Sequence, residues 1–344
     1  MEELVTCPMY IQPYFPQLTP IMQRVKEPTR KAKKTVYEPT PLDYHLLQYV
    51  REYHFLTAWQ LVKIHFSDGS LTRAQTKLKT LYEHGYLDRR VLPHIGTGQP
   101  TYIYALATKG INELKEQGFS SFSRYRPDRL QHYKYPHLEH VLSLNDVLIA
   151  ARRLHRLAPD ITLEAMQHDL DLKRTPVKVS YVRRLPDGDK EDEITTIIPD
   201  AWLDFRLHLA NTDKKRRKCI VLELDRGSET NMAEFKRKIR AYVHYASEGG
   251  AYQAMFGVKS ITVAYITTAG ENRLRTIRAW CEQELKEQKL EYEAPLFRFA
   301  ALPYLPQSET KKTLPLEVDA KRLFLADISY IPYSPAPSCL LWKP

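Results

Sequence analysis

Cys219-Ile220-Val221-Leu222-Glu223-Leu224-Asp225-Arg226-Gly227 is the stretch on which the reading of this chain turns. Ile220-Val221-Leu222 has the unbroken apolar character of a strand buried on both faces. Side chains alternate along a strand, so Glu223 and Asp225 point one way while Leu224 points the other. The two acids therefore emerge together at the C-terminal end of a central strand, where open sheets place their ligands. Asp225-Arg226-Gly227 also reads as a strand-ending turn, with Asp225 paired to Arg226 or capping the next segment.

Working outward, Ile197-Ile198-Pro199-Asp200 ends on an acid that begins a strand able to pair beside the first. Downstream, periodicity predicts a helix over about 230–246, with Phe235, Ile239, Tyr242, Val243 and Ala246 on its apolar face. Lys236 and Lys238 flank that face on opposite sides, and periodicity does not choose between them. Glu234 lies four residues before Lys238, so an ordinary surface ion pair is an equal reading of that lysine. Hard divalent cations take carboxylate oxygens converging from neighbouring segments. An ion so held generates hydroxide and neutralises a phosphate transition state. Asp200 and Glu223 are thus candidate ligands for Mg²⁺ or Mn²⁺, Asp225 a candidate assistant, and a lysine a candidate for the phosphate.

The chain has 344 residues, a formal charge of +10 and a pI near 9.2, a balance that favours a polyanionic partner. Nucleic acid and an anionic membrane surface both qualify. No apolar run approaches the roughly 20 residues that span a bilayer, and Met1-Glu2-Glu3 does not start like a secretion signal. The expectation is a cytoplasmic protein with no membrane attachment. Cys7, Cys219, Cys281 and Cys339 are far apart and read as reduced thiols, not as a zinc site. His137 and His140, three apart without a third ligand, read as a packed or surface pair.

Residues 1–40, with Arg30-Lys31-Ala32-Lys33-Lys34, read as a basic arm, either solvated or touching phosphates. Over 41–118 the expected elements are a helix with Asp43 as its cap, a helix opened by Thr57, a helix over 71–84 stopped by Gly85, and two strands. Three helices and a hairpin in that order predict a winged helix-turn-helix. Ile95-Gly96-Thr97-Gly98-Gln99-Pro100 is its wing turn; no helix follows it, which argues against a dinucleotide loop. Arg73, Gln75, Thr76, Lys77 and Lys79 populate the third helix, whose exposed face suits a major groove of double-stranded DNA. A protein-interaction domain with a solvated basic helix is the competing reading.

A connector over 119–136, around Arg124-Tyr125-Arg126-Pro127, leads to a second domain over 137–302. There a long helix (137–157) is followed by strands at 161–167, 177–183, 193–207, 219–224, 261–266 and 297–302, with helices at 230–246 and 271–288. That order implies a mixed sheet flanked by helices, an α/β or α+β class. Residues 303–344 read as a Pro-rich packing tail.

The pattern Pro199-Asp200, Glu223-x-Asp225 and Lys238-x-x-x-Tyr242 resembles the replication-relaxation family of plasmid and mobile-element proteins, which includes mobilisation relaxases of the MobC type. The similarity covers about residues 42–302 and is most specific over Leu222-Glu223-Leu224-Asp225-Arg226-Gly227. It implies a winged helix followed by a restriction-endonuclease-like domain of the PD-(D/E)xK class. His140 and Asn145 also match family positions. The standard nuclease motif has a lysine two residues after the glutamate, where this chain has Asp225. The resemblance implies that the lysine has moved to the helix, at Lys238.

Two functions are expected on these grounds. One is a Mg²⁺-dependent DNA-nicking endonuclease acting at a plasmid or mobile-element origin, alongside conjugation or replication proteins. The other is a non-catalytic DNA-binding regulator that keeps a degenerate nuclease fold as a scaffold.

Overall fold

A computed structural model describes residues 36–67, 69–92, 101–119, 130–208, 215–228, 230–247, 251–258, 260–306 and 316–341. The arm up to residue 35, Cys7 within it, the wing turn over 95–100, the Arg124–Pro127 connector, and residues 307–315 and 342–344 of the tail lie outside the described residues. The described chain divides into two compact units, one within Met1–Glu139 and Pro306–Leu316, the other within His140–Leu305 and Glu317–Pro344. The class is α+β.

In the first unit, α1 (Pro41–Tyr53) opens on a capping box. Thr40, not Asp43, is the N-cap; Asp43 is its partner three residues on, accepting the Thr40 N–H at 2.9 Å. The arrangement satisfies donors that a helix start leaves open. β1 (Leu56–Thr57) runs into α2 (Ala58–His65), which Thr57 and Gln60 cap in the same way. α3 (Leu71–Glu83) ends where Gly85 adopts φ +81°, with Gly85 N–H donating to the Tyr82 carbonyl and Tyr86 N–H to that of Leu81. This left-handed stop needs a residue without a Cβ. β2 (Leu87–Val91) and β3 (Tyr102–Leu106) pair antiparallel, β1 joins the free edge of β3, and α4 (Thr108–Glu116) follows. Gly110 brings α4 onto the loop before β2: a Cβ there would stand 2.2 Å from the Tyr86 carbonyl oxygen.

The second unit contains α5 (Tyr135–Leu157) from His140 onward, then β4 (Ile161–His168) and α6 (Asp169–Leu172). β5 (Val177–Arg184) and β6 (Lys190–Ile197) form a separate two-stranded hairpin. β7 (Ala201–His208), β8 (Lys215–Asp225), α7 (Met232–Ala246), α8 (Ala251–Phe256), β9 (Ile261–Thr267) and α9 (Gly270–Gln288) follow. A 3-10 turn precedes β10 (Phe297–Ala301), and α10 (Ala320–Leu325), β11 (Ser329–Tyr330) and β12 (Pro337–Ser338) complete the unit.

The main sheet has the order β12-β11-β10-β9-β8-β7-β4, parallel across β8, β9 and β10 and antiparallel elsewhere. One face packs Trp202, Val221, Val263 and Tyr265 against Phe235, Ile239 and Tyr242 of α7 and Leu274 and Ile277 of α9. On the other, Leu203, Phe205, Ile220 and Leu222 are buried, with Phe205 lying 5.5 Å from Phe324 of α10.

Two expectations change here. The strand expected over 193–207 is two strands in different sheets: Pro199 has no N–H to give a ladder, and the chain leaves the β5–β6 hairpin at Ile198-Pro199 and re-enters the main sheet as β7. Residues 316–341, expected only as packing, also extend the sheet through the β10–β11 and β11–β12 pairs.

Candidate functional site

The split at Pro199 is what sets Asp200. Its N–H donates to the Leu222 carbonyl at 3.1 Å, one step before the pair Ala201–Leu222 begins the antiparallel ladder. The next step outward brings Asp200 beside Glu223. The Asp200 Oδ2 accepts the Leu224 N–H at 2.7 Å, and its Oδ1 lies 3.1 Å from His140 Nε2 on α5. Asp200 thus bridges a strand end and a helix.

Glu223 is buried, and on α7 two residues one turn apart sit over it. The Lys238 ammonium is 3.1 Å from Glu223 Oε2, and the Tyr242 hydroxyl donates to Oε1 in a short hydrogen bond. The i, i+4 spacing of Lys238 and Tyr242 makes this reach natural, because such positions share a helix face. Lys236 goes elsewhere: its ammonium lies 2.8 Å from Glu287 and 3.7 Å from Glu284. Position in space thus separates two lysines that periodicity left equivalent.

Asp225 shares the face of Glu223, as alternation requires, but a different set of donors holds it. Arg273 of α9 grips both its oxygens, through Nη2 at 2.7 Å and Nε at 3.0 Å, while the Thr267 hydroxyl donates at 2.7 Å and Gly227 N–H at 3.1 Å. These contacts tie Asp225 to Thr267 of β9, to α9 and, through the Gly227 N–H, to the turn that follows it. The structure brings Asp200, Glu223 and Lys238 together, adds His140 and Tyr242, and assigns Asp225 to a clamp. Periodicity placed Tyr242 on an apolar helix face and spacing gave His140 as one of a packed or surface pair; only the family resemblance linked either to the acids. Arg273 and Thr267 carried no local signal, since they lie more than forty residues beyond Asp225.

The electrostatics are those of a crowded acid pair. Burial raises the pKa of Glu223 and the nearby Asp200 charge adds to this, against the pull of Lys238 and the Tyr242 hydroxyl. Burial opposes ionisation of Asp200 too, but His140, Lys238 and the Leu224 N–H together hold it below the ordinary carboxylate range. His140 is half-buried, which opposes its charging, yet Asp200 raises its pKa and favours the imidazolium. Tyr242 is pushed well above the usual phenol value, first by burial and then by Glu223, so it serves as a hydrogen-bond donor. Tyr265, opposite Glu223 in the β8–β9 register, is shifted the same way by burial and by the two acids.

Among the described residues, no group of three or more His, Cys, Asp or Glu side chains is arranged to hold a metal ion. The carboxylate pair is a narrower donor set. Each of its four oxygens already accepts from one protein donor, and a carboxylate oxygen has a second lone pair. That fits a cation such as Mg²⁺, which keeps several waters and takes one or two carboxylates plus phosphate oxygens, and it does not fit an all-protein cage.

In the first unit, Arg73, Gln75, Thr76 and Lys79 are exposed on α3. Lys77 is half-buried and reaches both oxygens of the fully buried Asp43, at 3.1 and 3.3 Å. It ties α3 to the capping box of α1, which takes it out of the expected groove-facing set.

A family model described as replication-relaxation matches residues 47–261, well over half of the chain. The chain belongs to the replication-relaxation family. The matched span holds α3 and every member of the Asp200–Glu223 centre, and stops short of Arg273. The shared part of this family member therefore includes the acid centre but not the arginine that clamps Asp225. No curated protein and no solved structure matches the chain. Among the described residues, no helix is long and apolar enough to cross a membrane.

Proposed function

We propose that this family member is a DNA-binding replication or mobilisation protein, of the MobC relaxase kind, that nicks duplex DNA at an origin with Mg²⁺ or Mn²⁺. The carrying observation is the Lys238 ammonium at 3.1 Å from Glu223, on the acid that Asp200 stands beside. A lysine from α7 fills the role that the standard nuclease motif gives to the position of Asp225. Asp200 and Glu223 would hold the ion, which when bound polarises a scissile phosphate and lowers the pKa of its water. Lys238, with 44% of its side chain exposed, stands at the solvent side of Glu223, where a phosphate oxygen would enter the centre. The Tyr242 hydroxyl and the His140 imidazolium fix the orientation of the two carboxylates, so the acids need little rearrangement as charge develops. The first unit, in which α1, α2 and α3 and a three-stranded antiparallel sheet come in winged-helix order before α4, would select the DNA through α3.

One observation favours a second reading, a DNA-binding regulator without catalysis. All four carboxylate oxygens are already satisfied within the protein, and a third ligand side chain is absent among the described residues. Supercoiled plasmid carrying the cognate origin, incubated with Mg²⁺ or Mn²⁺, separates the two. Nicking that disappears in Asp200→Ala and Glu223→Ala proteins while DNA binding persists supports the enzyme. Binding without nicking in the unaltered protein supports the regulator.

A further inference from the structure

The outward ridge of α3 is built by Thr72, Gln75, Thr76 and Lys79, all exposed and spaced i, i+3, i+4, i+7 so that they share one helix face. Their free chemistry is unequal. The Thr76 hydroxyl donates to the Thr72 carbonyl at 2.9 Å, and that of Thr80 to the Thr76 carbonyl at 3.1 Å. The hydroxyl proton of Thr76 is committed inside the helix, so its methyl is what remains for a partner. Lys79 is 3.8 Å from Glu83. Arg73 lies off the ridge, roughly 100° round the helix from Thr72, with its guanidinium 5.9 Å from the Phe66 ring centre. Gln75 alone on the ridge presents an amide that makes no hydrogen bond among the described residues.

In a major groove these groups read different bases. An arginine on the ridge would pair with guanine O6 and N7; a glutamine amide pairs with adenine N6 and N7, and a threonine methyl packs on the thymine methyl. Recognition helices put their N-terminal half against the bases, which is where Thr72, Gln75 and Thr76 lie. From this we infer that the DNA target is specified through Gln75 as an adenine, with Thr76 against a neighbouring thymine, while Arg73 and Lys79 contact phosphates. The inference rests on the reading of the first unit as a DNA-binding module, and it names the specificity-determining residue of that module.

The test uses the full chain and a library of duplexes with a randomised core, at a fixed moderate salt concentration. The unaltered protein is expected to select adenine at one core position. Gln75→Ala should flatten the preference there, lowering discrimination by roughly fivefold to a hundredfold, while binding to unselected duplex persists. Gln75→Arg should move the choice to guanine, and Arg73→Ala should weaken binding without changing the selected sequence. Binding with guanine selected by the unaltered protein, or an adenine preference that survives Gln75→Ala, overturns the inference and leaves the DNA-binding reading standing. Retention of no duplex at all overturns the DNA-binding reading, and this inference with it.

Discussion

Glu223 and Asp225 stand two residues apart on the same face of β8, yet they occupy different chemical worlds. The partners of Glu223 are a half-exposed ammonium on a helix and one phenol. The partners of Asp225 are a guanidinium that is 14% exposed and grips both oxygens, a hydroxyl and a backbone N–H. A two-toothed arginine fork loses much more on release than a single lysine contact. On the function proposed above, the first acid is placed for ligands to come and go, while the second holds β8 to α9. Acid spacing along a strand reports which way a carboxylate points, but what it touches decides its use.

The largest test exchanges charge for neutrality at each acid. Glu223→Gln keeps the size and the Tyr242 hydrogen bond but should reduce Mg²⁺-dependent nicking by about a hundredfold to a thousandfold, with little loss of stability. Asp225→Asn should do the reverse. It takes the negative charge from the carboxylate that a mostly buried Arg273 grips through two nitrogens, a change expected to cost about 3 kcal/mol, while nicking per folded molecule survives. Urea unfolding beside plasmid-nicking rates, measured well below the unfolding transition, checks both. A stable Asp225→Asn protein that cannot nick would erase the distinction between the two acids.

The same contrast extends to the lysines of α7. Lys238→Ala should lower nicking by about a hundredfold and leave the unfolding midpoint nearly unchanged, since its partner contact is half-exposed. Lys236→Ala should leave nicking alone and lower stability by about 1–2 kcal/mol. It removes a buried ammonium from Glu284 and Glu287, and Glu284 then depends on Arg240 at 2.7 Å. Equal effects of the two substitutions on nicking would deny Lys238 its separate place.

Much of this was legible in sequence, for reasons the structure makes plain. The Ile220-Val221-Leu222 run is apolar because β8 has neighbours on both edges and cover on both faces, so it read correctly as central. The capping residues and Gly85 marked the helices of the first unit because caps act locally. What remained hidden depends on contacts distant in the chain. Asp225 meets Arg273 only because β8 and β9 run parallel and deliver α9 to the end of β8. β11 and β12 are two residues long, too short to show a period of two. Pro199 was read as part of a motif, although its lack of an N–H also divides two sheets.

Acidity offers a finer probe of the centre. Asp200 has its pKa lowered from the ordinary 3.8, so its contribution to stability is present above that value and lost as pH falls through its folded pKa. Glu223 is raised from 4.5, so the sign reverses: its contribution is full below 4.5 and is lost as pH rises through its folded pKa. As pH rises above 4.5, then, Glu223→Gln should gain stability relative to the unaltered protein, whereas Asp200→Asn should show its deficit at every pH above 3.8 and lose it only in stronger acid. Urea midpoints at several pH values test this. Parallel pH profiles for the two variants would mean that the acids do not differ as their partners imply.

The smallest expected effect lies in the first unit, where Lys77 and Lys79 repeat the theme of bound and available charge. Lys77 holds the buried Asp43 from a side chain about a quarter exposed, whereas Lys79 is largely exposed and weakly paired with Glu83. Lys79→Ala should reduce affinity for unselected duplex and lower the salt slope of binding by about one. Lys77→Ala should leave that slope unchanged and cost the fold about 1 kcal/mol or less, because Thr40 and Tyr37 still hydrogen-bond to Asp43. Binding isotherms over a range of salt concentrations, paired with urea midpoints, separate a phosphate contact from a brace. A salt slope reduced equally by both substitutions would return Lys77 to the groove-facing set and show that its hold on Asp43 is released when DNA arrives.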